Sequence, residues 1–278
     1  MFFISDHELE AILSEDIPYG DETVDLMGIG DAAGRITCHP KADGIVSGIS
    51  LAARIFRMAG LTVQELARDG ERIAAGTTIL KASGSAGAIH ATYKTAQTVM
   101  EYCSGISGRA RAMVEAAASA NPRCRVALTR KHFPGAKKLS LYAGLAGGAT
   151  VHRMGLSESI LVFDHHRVFA DDFPALLARM RSVSPERKIA VEAADADEGL
   201  AFVRAGADII QCERFSPEAL TEFIGKARSE NPAVLVSAAG GVNAETAAAY
   251  AAAGADFLVT TWPYFGKPFD IKMVIERN

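Results

Sequence analysis

The second half of the chain alternates short apolar runs with amphipathic helical patterns, and this alternation limits the possible folds more than any other feature. Strand-like runs occur at 126–128, 160–163, 189–192, 208–212, 234–238 and 256–260. Helical patterns lie between them at about 171–182, 195–205, 216–229 and 243–253. Apolar strands that alternate with helices form parallel βαβ units. The sequence contains no GxGxxG or GxxxxGK[ST] motif, so it favours an α/β barrel over an open nucleotide-binding sheet.

The first third of the chain mixes helical and strand-like segments without regular alternation, and this pattern changes near residue 105. A helix is predicted to begin at Ser5-Asp6, with further helices at 49–59 and 90–104. Short strand-like pieces occur at 35–38, 44–47 and 78–82, with glycine turns between them. This part therefore predicts a small sheet flanked by helices.

Composition excludes several classes of protein. With 278 residues, 49% of them hydrophobic and 22% charged, the chain is typical of globular proteins. A net charge of −4 argues against a general nucleic-acid or membrane-surface role. The four cysteines show no CxxC spacing, which predicts a reducing, cytoplasmic location. The acidic N-terminal segment does not resemble a signal peptide, and no apolar run reaches membrane-spanning length.

A cluster of cations follows the first strand of the predicted barrel. Arg130, Lys131 and His132 come directly after the run 126–128, and the pair His152-Arg153 follows later. Cations beside glycine-rich turns suit carboxylates and phosphates, which arginine grips bidentately. The alternative is a solvated basic loop. Because these cations are interleaved with strand ends, we predict the anion-binding floor of an active site.

Two carboxylates end neighbouring predicted strands. Glu192 and Glu213 both lie where the carboxyl ends of barrel strands form the active site. Carboxylates placed there can hold sugar hydroxyls or a metal–diphosphate, or stabilise a developing cation. The alternative is that each caps the next helix or pairs with a nearby arginine.

The glycine pair Gly240-Gly241 joins a strand to a predicted helix that begins at Asn243. Adjacent glycines let backbone N–H groups approach an anion, and a helix N-terminus favours negative charge. We interpret the pair as a phosphate cradle, although many such loops need glycine for steric reasons alone.

Histidines also follow a strand, in Asp164-His165-His166. Adjacent residues that leave a strand point in opposite directions, so these two histidines rarely share one ion. We predict histidines that donate or accept hydrogen bonds, not a zinc site.

Motifs along nearly the whole chain resemble the quinolinate phosphoribosyltransferase (nicotinate-nucleotide pyrophosphorylase) family. In the barrel half they are Thr129-Arg130-Lys131, Pro134-Gly135, Gly147-Gly148, His152-Arg153-Met154-Gly155-Leu156, Val191-Glu192 and Gly240-Gly241. In the N-terminal half they are Glu15-Asp16-Ile17, Gly20-Asp21, Thr23 and Ser104-Gly105-Ile106-Ser107. The resemblance implies an α/β fold with an N-terminal open-faced α/β sandwich at 1–108 and an incomplete parallel α/β barrel at 109–278. It also implies that the last residues return to the first domain.

The resemblance further implies an activity. Members of this family are Mg²⁺-dependent enzymes that transfer phosphoribose from phosphoribosyl pyrophosphate and release pyrophosphate. They work as homodimers whose active sites are shared between subunits. This sequence looks most like the ModD branch, a pyrophosphorylase group associated with molybdenum transport. The expected partners are therefore phosphoribosyl pyrophosphate, an anionic small-molecule acceptor and a second copy of the chain.

The family's functional residues transfer to particular positions. Lys131, Glu192 and Glu213 match catalytic positions, and the two glutamates also match the metal site. The expected substrate-binding positions are Lys94 (donated to the partner subunit's site), Arg130, His132, His152, Arg153, Phe163, His165, Ala239, Gly240, Gly241 and Thr261.

Several of these positions depart from the family pattern. Phe163 stands where the family has lysine, His132 where it has threonine, and Ala239 where it has serine. Each lost charged hydrogen bond costs about 1.5–3 kcal/mol, so quinolinate is expected to bind poorly. Two alternatives stay open: a true quinolinate phosphoribosyltransferase of NAD biosynthesis, and a non-catalytic anion-binding protein linked to molybdate transport.

Overall fold

The structure, a computed structural model, describes residues 3–278. Its helices are α1 (Asp6–Asp16), α2 (Glu22–Met27), α3 (Ile49–Met58), α4 (Ala86–Ala120), α5 (Lys137–Ala146), α6 (Asp164–Arg167), α7 (Phe173–Val183), α8 (Ala196–Arg204), α9 (Pro217–Glu230) and α10 (Ala247–Ala252). Its strands are β1 (Ala33–Pro40), β2 (Gly44–Ile45), β3 (Thr62–Glu65), β4 (Arg72–Ile73), β5 (Leu80–Ser85), β6 (Arg125–Leu128), β7 (Thr150–Val151), β8 (Ile160–Val162), β9 (Ile189–Ala193), β10 (Ile209–Glu213), β11 (Leu235–Ala239), β12 (Phe257–Thr260) and β13 (Ile271–Arg277). None of the helices formed by residues 3–278 is both long and apolar enough to span a membrane.

The first of two compact units contains an antiparallel sheet. It comprises the segment up to Arg111 together with Phe133–Gly148 and Pro263–Asn278. Four strands pair in the order β13-β1-β5-β3, and β2 pairs separately with β4. Along β1 buried positions alternate with more exposed ones, as expected for a sheet that covers a core on one face only. Helix α3 supplies the other side of that core through buried residues such as Ile55 and Phe56.

The second unit is a curled parallel sheet. It comprises Ala112–His132 and Ala149–Trp262. Seven strands pair in the order β7-β6-β12-β11-β10-β9-β8, and every pair is parallel. Within residues 3–278, β7 and β8 each pair with one neighbour only, so the barrel is not closed. The predicted fold class, an open-faced α/β sandwich with an incomplete parallel barrel, is confirmed.

Strands at sheet edges were the ones that the sequence did not predict. All six predicted barrel strands are present, whereas β3, β4, β7 and β13 were missed. Both β3 and β13 lie at the edges of the first sheet, and most of their residues are not buried. An edge strand that buries little has no strong alternation of apolar and polar residues, so the pattern that predicts strands is weak there.

The long helix α4 was predicted to cover only 90–104, but it runs continuously from Ala86 to Ala120. Gly105 lies inside it, and a Cβ atom at that position would come within 2.8 Å of the Lys267 carbonyl oxygen. The glycine therefore allows a close backbone approach and does not end the helix. The helix start predicted at Ser216-Pro217 is confirmed, because the Ser216 hydroxyl accepts the Ala219 N–H at 3.2 Å.

Candidate active site

A cavity of about 1070 Å³ opens at the carboxyl ends of the barrel strands. Parallel strands bring the residues that follow them to one end of the barrel, where α/β barrels hold their active sites. Twelve predicted site residues line this cavity: Arg130, Lys131, His152, Arg153, Phe163, His165, Glu192, Glu213, Ala239, Gly240, Gly241 and Thr261. The sequence therefore identified about half of the 23 residues of its wall.

Two predicted site residues do not line this cavity. His132 follows Lys131 directly but is not part of the wall. Lys94 is exposed on α4, where its Nζ donates to Gln97 Oε1 at 2.9 Å and lies 5.1 Å from the Tyr93 ring centroid. Ligand-binding roles for these two residues stay predictions.

The segment after β6 is joined to the segment after β12. The Thr129 and Thr261 hydroxyls lie 2.8 Å apart, and the Lys131 backbone N–H donates to Thr129 Oγ1 at 3.2 Å. These bonds fix the backbone that carries Arg130 and Lys131. The two cations are therefore presented from an anchored turn.

Within residues 3–278, three of the four arginine and lysine side chains on the cavity wall form no ion pair with a carboxylate. These are Arg130, Lys131 and Arg153, whereas Arg214 Nε lies 3.6 Å from Glu213 Oε1. Burial and the charge of Arg130 lower the pKa of Arg153, and Glu158 only partly opposes them. Cations held close together favour the binding of an anion.

Phe163 forms a rigid apolar wall beside these cations. The guanidinium carbon of Arg153 lies 5.4 Å from its ring centroid, which is a cation–π distance. The His166 ring stacks on it at 5.7 Å with an interplanar angle of 22°. His166 Nδ1 also accepts the Phe163 backbone N–H at 2.9 Å. A planar ring bound here would meet an aromatic surface where the family pattern has lysine.

Carboxylates concentrate negative charge on another part of the wall. Burial raises the pKa of Glu192, and the nearby charges of Glu213 and Asp164 raise it further. Opposing them, Gln211 Nε2 donates to Glu192 Oε2 at 2.7 Å, and Lys131 lies close enough to lower the pKa. The cavity is thus divided between a cationic and an anionic part.

The anionic part fits a magnesium ion. Mg²⁺ is usually held by one or two carboxylates and takes its remaining ligands from water and substrate phosphates. Glu192 and Glu213 supply two carboxylates whose mutual repulsion a divalent cation would relieve. Within residues 3–278 no three histidine, cysteine or acidic side chains form a ready metal cluster. A shared protein–substrate site is therefore the kind of metal site that these residues suit.

The glycine pair after β11 brings backbone close to the carboxylates. Gly240 and Gly241 have φ angles of +85° and +84°, a region that favours glycine. A Cβ atom at Gly240 would lie 2.6 Å from Glu213 Oε1 and 2.5 Å from Arg214 Cγ. Glycine is therefore required at residue 240 by close packing as well as by φ.

Asn243 makes the hydrogen bonds of a helix N-cap, as predicted, although the regular helix α10 begins only at Ala247. Asn243 Oδ1 accepts the Glu245 and Thr246 N–H groups at 2.9 and 3.1 Å. The Asn243 carbonyl oxygen accepts the Ala247 N–H at 3.0 Å. The predicted start therefore differs from the structure only in the turn between Asn243 and Ala247.

The two histidines of the wall behave differently from each other. Burial, together with the charge of Arg153, lowers the pKa of His152 from 6.5 to about 4, so its imidazole is neutral at pH 7. Only Arg153 of that basic pair carries charge. His165 is exposed, with Nδ1 2.7 Å from Asp164 Oδ1, as expected for a hydrogen-bonding residue.

Among the wall residues that were not predicted as site residues, Gln211 and Arg214 contact the carboxylates directly. Gln211 is only 4% exposed and holds Glu192, and its signal was a polar side chain within the apolar run Ile209–Glu213. Arg214 has φ +59°, and its guanidinium Nε lies 3.6 Å from Glu213 Oε1. A non-glycine residue in this region is uncommon and marks functional loops more often than chance. No sequence pattern indicated that conformation.

Comparison with known proteins agrees with this geometry. The family description "Quinolinate phosphoribosyl transferase, C-terminal domain" matches residues 106–274, and the corresponding N-terminal domain matches residues 21–104. "Putative pyrophosphorylase ModD" of Pasteurella multocida is 36% identical over 100% of both chains. A protein of the same name from Rhodobacter capsulatus is 40% identical over 89% of this chain and 96% of its own length.

More distant relatives have the same fold. A Synechocystis protein named "Probable nicotinate-nucleotide pyrophosphorylase [carboxylating]" is 29% identical over 100% of this chain and 94% of its own. The crystal structure of NadC from Streptococcus pyogenes covers 100% of both chains with a TM-score of 0.91 at 22% identity. With both family domains matched in order and a full-length relative at 36% identity, the chain belongs to the quinolinate phosphoribosyl transferase family.

Proposed function

We propose that this chain is a phosphoribosyltransferase of the ModD type, which transfers phosphoribose from phosphoribosyl pyrophosphate to an anionic nitrogen heterocycle. One observation carries the proposal: unpaired cations and converging carboxylates face one cavity at the carboxyl ends of the barrel strands. A diphosphate ester and an acidic ring need the cations. A sugar carbon that becomes positive during transfer needs the carboxylates.

The bond changes follow from that division. The bond between ribose C1 and the diphosphate oxygen breaks, and its electron pair leaves with pyrophosphate. The lone pair of a ring nitrogen then forms the new bond to C1. Glu192 and Glu213 stabilise the positive charge that develops on the sugar. Lys131 and the backbone at Gly240-Gly241 hold the phosphates, and Arg130 and Arg153 orient the acidic acceptor.

Magnesium is part of the proposal because the donor set suits it. Glu192 and Glu213 would hold the ion, whose chemistry when bound is to neutralise diphosphate charge. The Gln211 side chain keeps Glu192 in place through its 2.7 Å hydrogen bond. Removal of Mg²⁺ with a chelator should therefore weaken binding of phosphoribosyl pyrophosphate.

The acceptor is proposed to differ from quinolinate. Relatives named ModD are 35–40% identical to this chain, against 29% for the Synechocystis nicotinate-nucleotide pyrophosphorylase. Phe163 and Ala239 present no hydrogen-bonding side chain where the family pattern has lysine and serine. A loss of two such contacts disfavours the NAD-biosynthesis alternative, and the converging carboxylates disfavour a non-catalytic anion binder.

A screen for turnover tests this function. Pyridine and pteridine carboxylates would be incubated with phosphoribosyl pyrophosphate and Mg²⁺, and pyrophosphate release measured. At least one acceptor should give release that Glu192→Gln abolishes. Thermal stabilisation by anions without release from any acceptor would contradict the proposal and favour the anion-binding alternative.

A homodimer with shared sites is also proposed, with Lys94 donated to the partner subunit's site. Support comes from the family resemblance and from the exposure of Lys94. Lys94→Glu and Glu192→Gln should each be inactive, yet mixing them should restore activity toward a quarter of normal. Half of the randomly formed dimers are mixed, and each has one intact site of two. No recovery, with mixed dimers confirmed by native mass spectrometry, would refute the sharing of Lys94.

A cytoplasmic location likewise stays a proposal. All four cysteines are free and buried, and burial raises the pKa of the Cys124 thiol to about 11. Free thiols support a reducing compartment. A fusion to a compartment-dependent reporter would test it.

A further inference from the structure

Two buried polar atoms inside the barrel have no hydrogen-bond partner. Gln211 is 4% exposed and Ser237 is 0% exposed. Within residues 3–278, Gln211 Oε1 and Ser237 Oγ are buried atoms without a partner. More than nine in ten buried polar groups are hydrogen-bonded, and each exception calls for a water, a ligand or another explanation.

The two side chains are neighbours on adjacent strands. Gln211 of β10 and Ser237 of β11 are partners in the parallel register. Residues that pair in this way point to the same face of a sheet, and both of these side chains line cavities in the barrel interior. Their free oxygens therefore belong to one interior patch, which we term the deep patch (Gln211 and Ser237).

The deep patch continues the active-site cavity inward. Gln211 lines the active-site cavity and also a second cavity at the amino ends of the strands, and His152 and Leu161 line both as well. The interior of a parallel barrel is normally filled by layers of large side chains. Here the small residues Ala127, Ala190 and Ser237 line the inner cavity, so the barrel interior is not filled at this depth.

The free oxygens of the deep patch call for a hydrogen-bond donor. Gln211 Nε2 is already used by Glu192, so the free Gln211 oxygen can only accept a hydrogen bond. The Ser237 hydroxyl can accept or donate. An N–H group of a ligand would satisfy the Gln211 oxygen, which otherwise stays buried without a partner.

We propose that the deep patch is a specificity subsite for the acceptor, and that the acceptor carries a ring amino or N–H group at the end opposite its anionic group. The anionic group would lie against Arg130 and Arg153, and the N–H would donate to Gln211 Oε1. The Ser237 hydroxyl would complete the contact with the neighbouring ring atom. This inference rests on the proposed transfer to an acidic heterocycle and specifies the chemistry of that acceptor.

Two other occupants would explain the free oxygens. An ordered water could bridge them permanently, as waters do in polar cavities. Alternatively, a ribose hydroxyl of phosphoribosyl pyrophosphate could donate to Gln211. Gln211 lines the active-site cavity together with Glu213, Gly240 and Gly241, so the binding of phosphoribosyl pyrophosphate must be measured in a Gln211 variant to distinguish the sugar from the acceptor.

A matched pair of ligands tests the subsite by binding alone. The two probes are 6-aminonicotinate and 6-methylnicotinate, which have similar size and differ in the donor opposite the carboxylate. Calorimetry with the whole protein should show the amino compound binding at least about tenfold more tightly, the worth of one buried hydrogen bond. A site built to accept an N–H discriminates strongly against an analogue that lacks it.

Three variants show which residues cause the preference for the amino probe. Gln211→Met and Ser237→Ala should each reduce the preference to less than about threefold, because one partner of the donor is lost. Ser237→Ala leaves the bond between Gln211 and Glu192 untouched. Ser47→Ala is the control, since Ser47 Oγ is also buried and unpartnered but lies in the core of the other unit. It should keep the full preference.

The outcomes separate this inference from the proposed function. Equal binding of the two probes by the wild type, or no binding of either, overturns the subsite and is the result expected if a fixed water fills the patch. Weaker binding of phosphoribosyl pyrophosphate in Gln211→Met with an unchanged probe preference assigns the oxygen to the sugar and also overturns it. Pyrophosphate release is measured in a separate experiment. Its absence would contradict the proposed transferase activity but not the binding preference of the subsite.

Discussion

The two ends of the barrel hold charged residues in different ways. At the amino ends of the strands, around a cavity of about 570 Å³, several charged groups have local partners. Arg125 donates to the Pro122 carbonyl at 2.8 Å, Arg187 donates to that of Ser157 at 2.8 Å, and Asp256 pairs with Arg228 at 3.0 Å. At the carboxyl ends, Arg130 has no such ion pair within residues 3–278.

This difference shows which charges stabilise the fold and which await a ligand. Charges that are satisfied locally tie strand starts to the preceding loops. Charges without counterions raise the free energy of the empty site and lower it when an anion binds. Similar residue types therefore serve stability at one end and binding at the other. Substitutions matched between the two ends test this division.

The largest effect on turnover is expected when a carboxylate at the carboxyl end of the barrel is compared with one at the amino end. Glu192→Gln should lower turnover of an acceptor found by the screen roughly 10²- to 10³-fold, because it removes charge that stabilises the transition state. Glu186→Gln, at the amino end, removes a similar carboxylate from the other cavity and should leave turnover within about twofold. Steady-state pyrophosphate release measures both. Equal losses would refute the division between the ends.

A smaller effect, on ligand affinity, is expected when an arginine at the carboxyl end is compared with one at the amino end. Arg130→Ala should weaken binding of phosphoribosyl pyrophosphate or a dicarboxylate roughly 10- to 100-fold, the worth of one charged hydrogen bond. Arg125→Ala, the control at the amino end, should leave calorimetric affinity unchanged. Circular dichroism would check that both variants are folded. An unchanged affinity in Arg130→Ala would show that the cationic floor does not bind anions.

Restoring the lysine of the family pattern at residue 163 should raise kcat/KM for quinolinate roughly tenfold. Wild-type turnover of quinolinate should be weak or absent, and Phe163→Lys should improve kcat/KM about tenfold through one new charged contact. Phe163→Leu is a useful control, because it removes the aromatic ring without adding charge. If the wild type turned over quinolinate as efficiently as a dedicated enzyme, the proposed acceptor class would be wrong.

The smallest effect is on the free energy of unfolding and concerns His152, which lines both cavities. Its pKa is about 4 when folded and 6.5 ordinarily, so the unfolded chain binds the proton first as pH falls. The free energy of unfolding should therefore decrease between pH 6.5 and 4, by roughly 1–2 kcal/mol after allowance for partial exposure. Arg153 is the charged group that adds to this shift.

Denaturant unfolding at several pH values measures that slope. His152→Gln should flatten it relative to the wild type. The same substitution at exposed His7 controls for loss of a histidine in general. An unchanged slope in His152→Gln would mean that the imidazole is protonated in the folded protein.

The barrel strands and the wall of the site could be predicted from the sequence because their signals are local. A buried parallel strand is a continuous apolar run, and the residue after it lies at the carboxyl end of the barrel. This is why Arg130, Glu192 and Glu213 could be placed in one site before any coordinates existed. Edge strands β3 and β13 bury little and so left no comparable pattern.

The helix at Asn243 was predicted in its capping residue but not in its exact start. Asn243 accepts the N–H groups of Glu245 and Thr246, yet regular helix begins only at Ala247. Whether the residues between them form a turn or regular helix is a property of the folded backbone. The same holds for the left-handed φ of Arg214, which no sequence pattern indicated.

By itself the sequence determined the fold class, the family and the end of the barrel at which chemistry takes place. These follow from periodicity and from the order of motifs, which are properties of the chain. Only the tertiary structure decided that His152 is neutral, that Glu192 is held by Gln211, and that a free acceptor lies beneath the site. Burial and hydrogen-bond partners decide such properties, and both arise only when distant segments pack together.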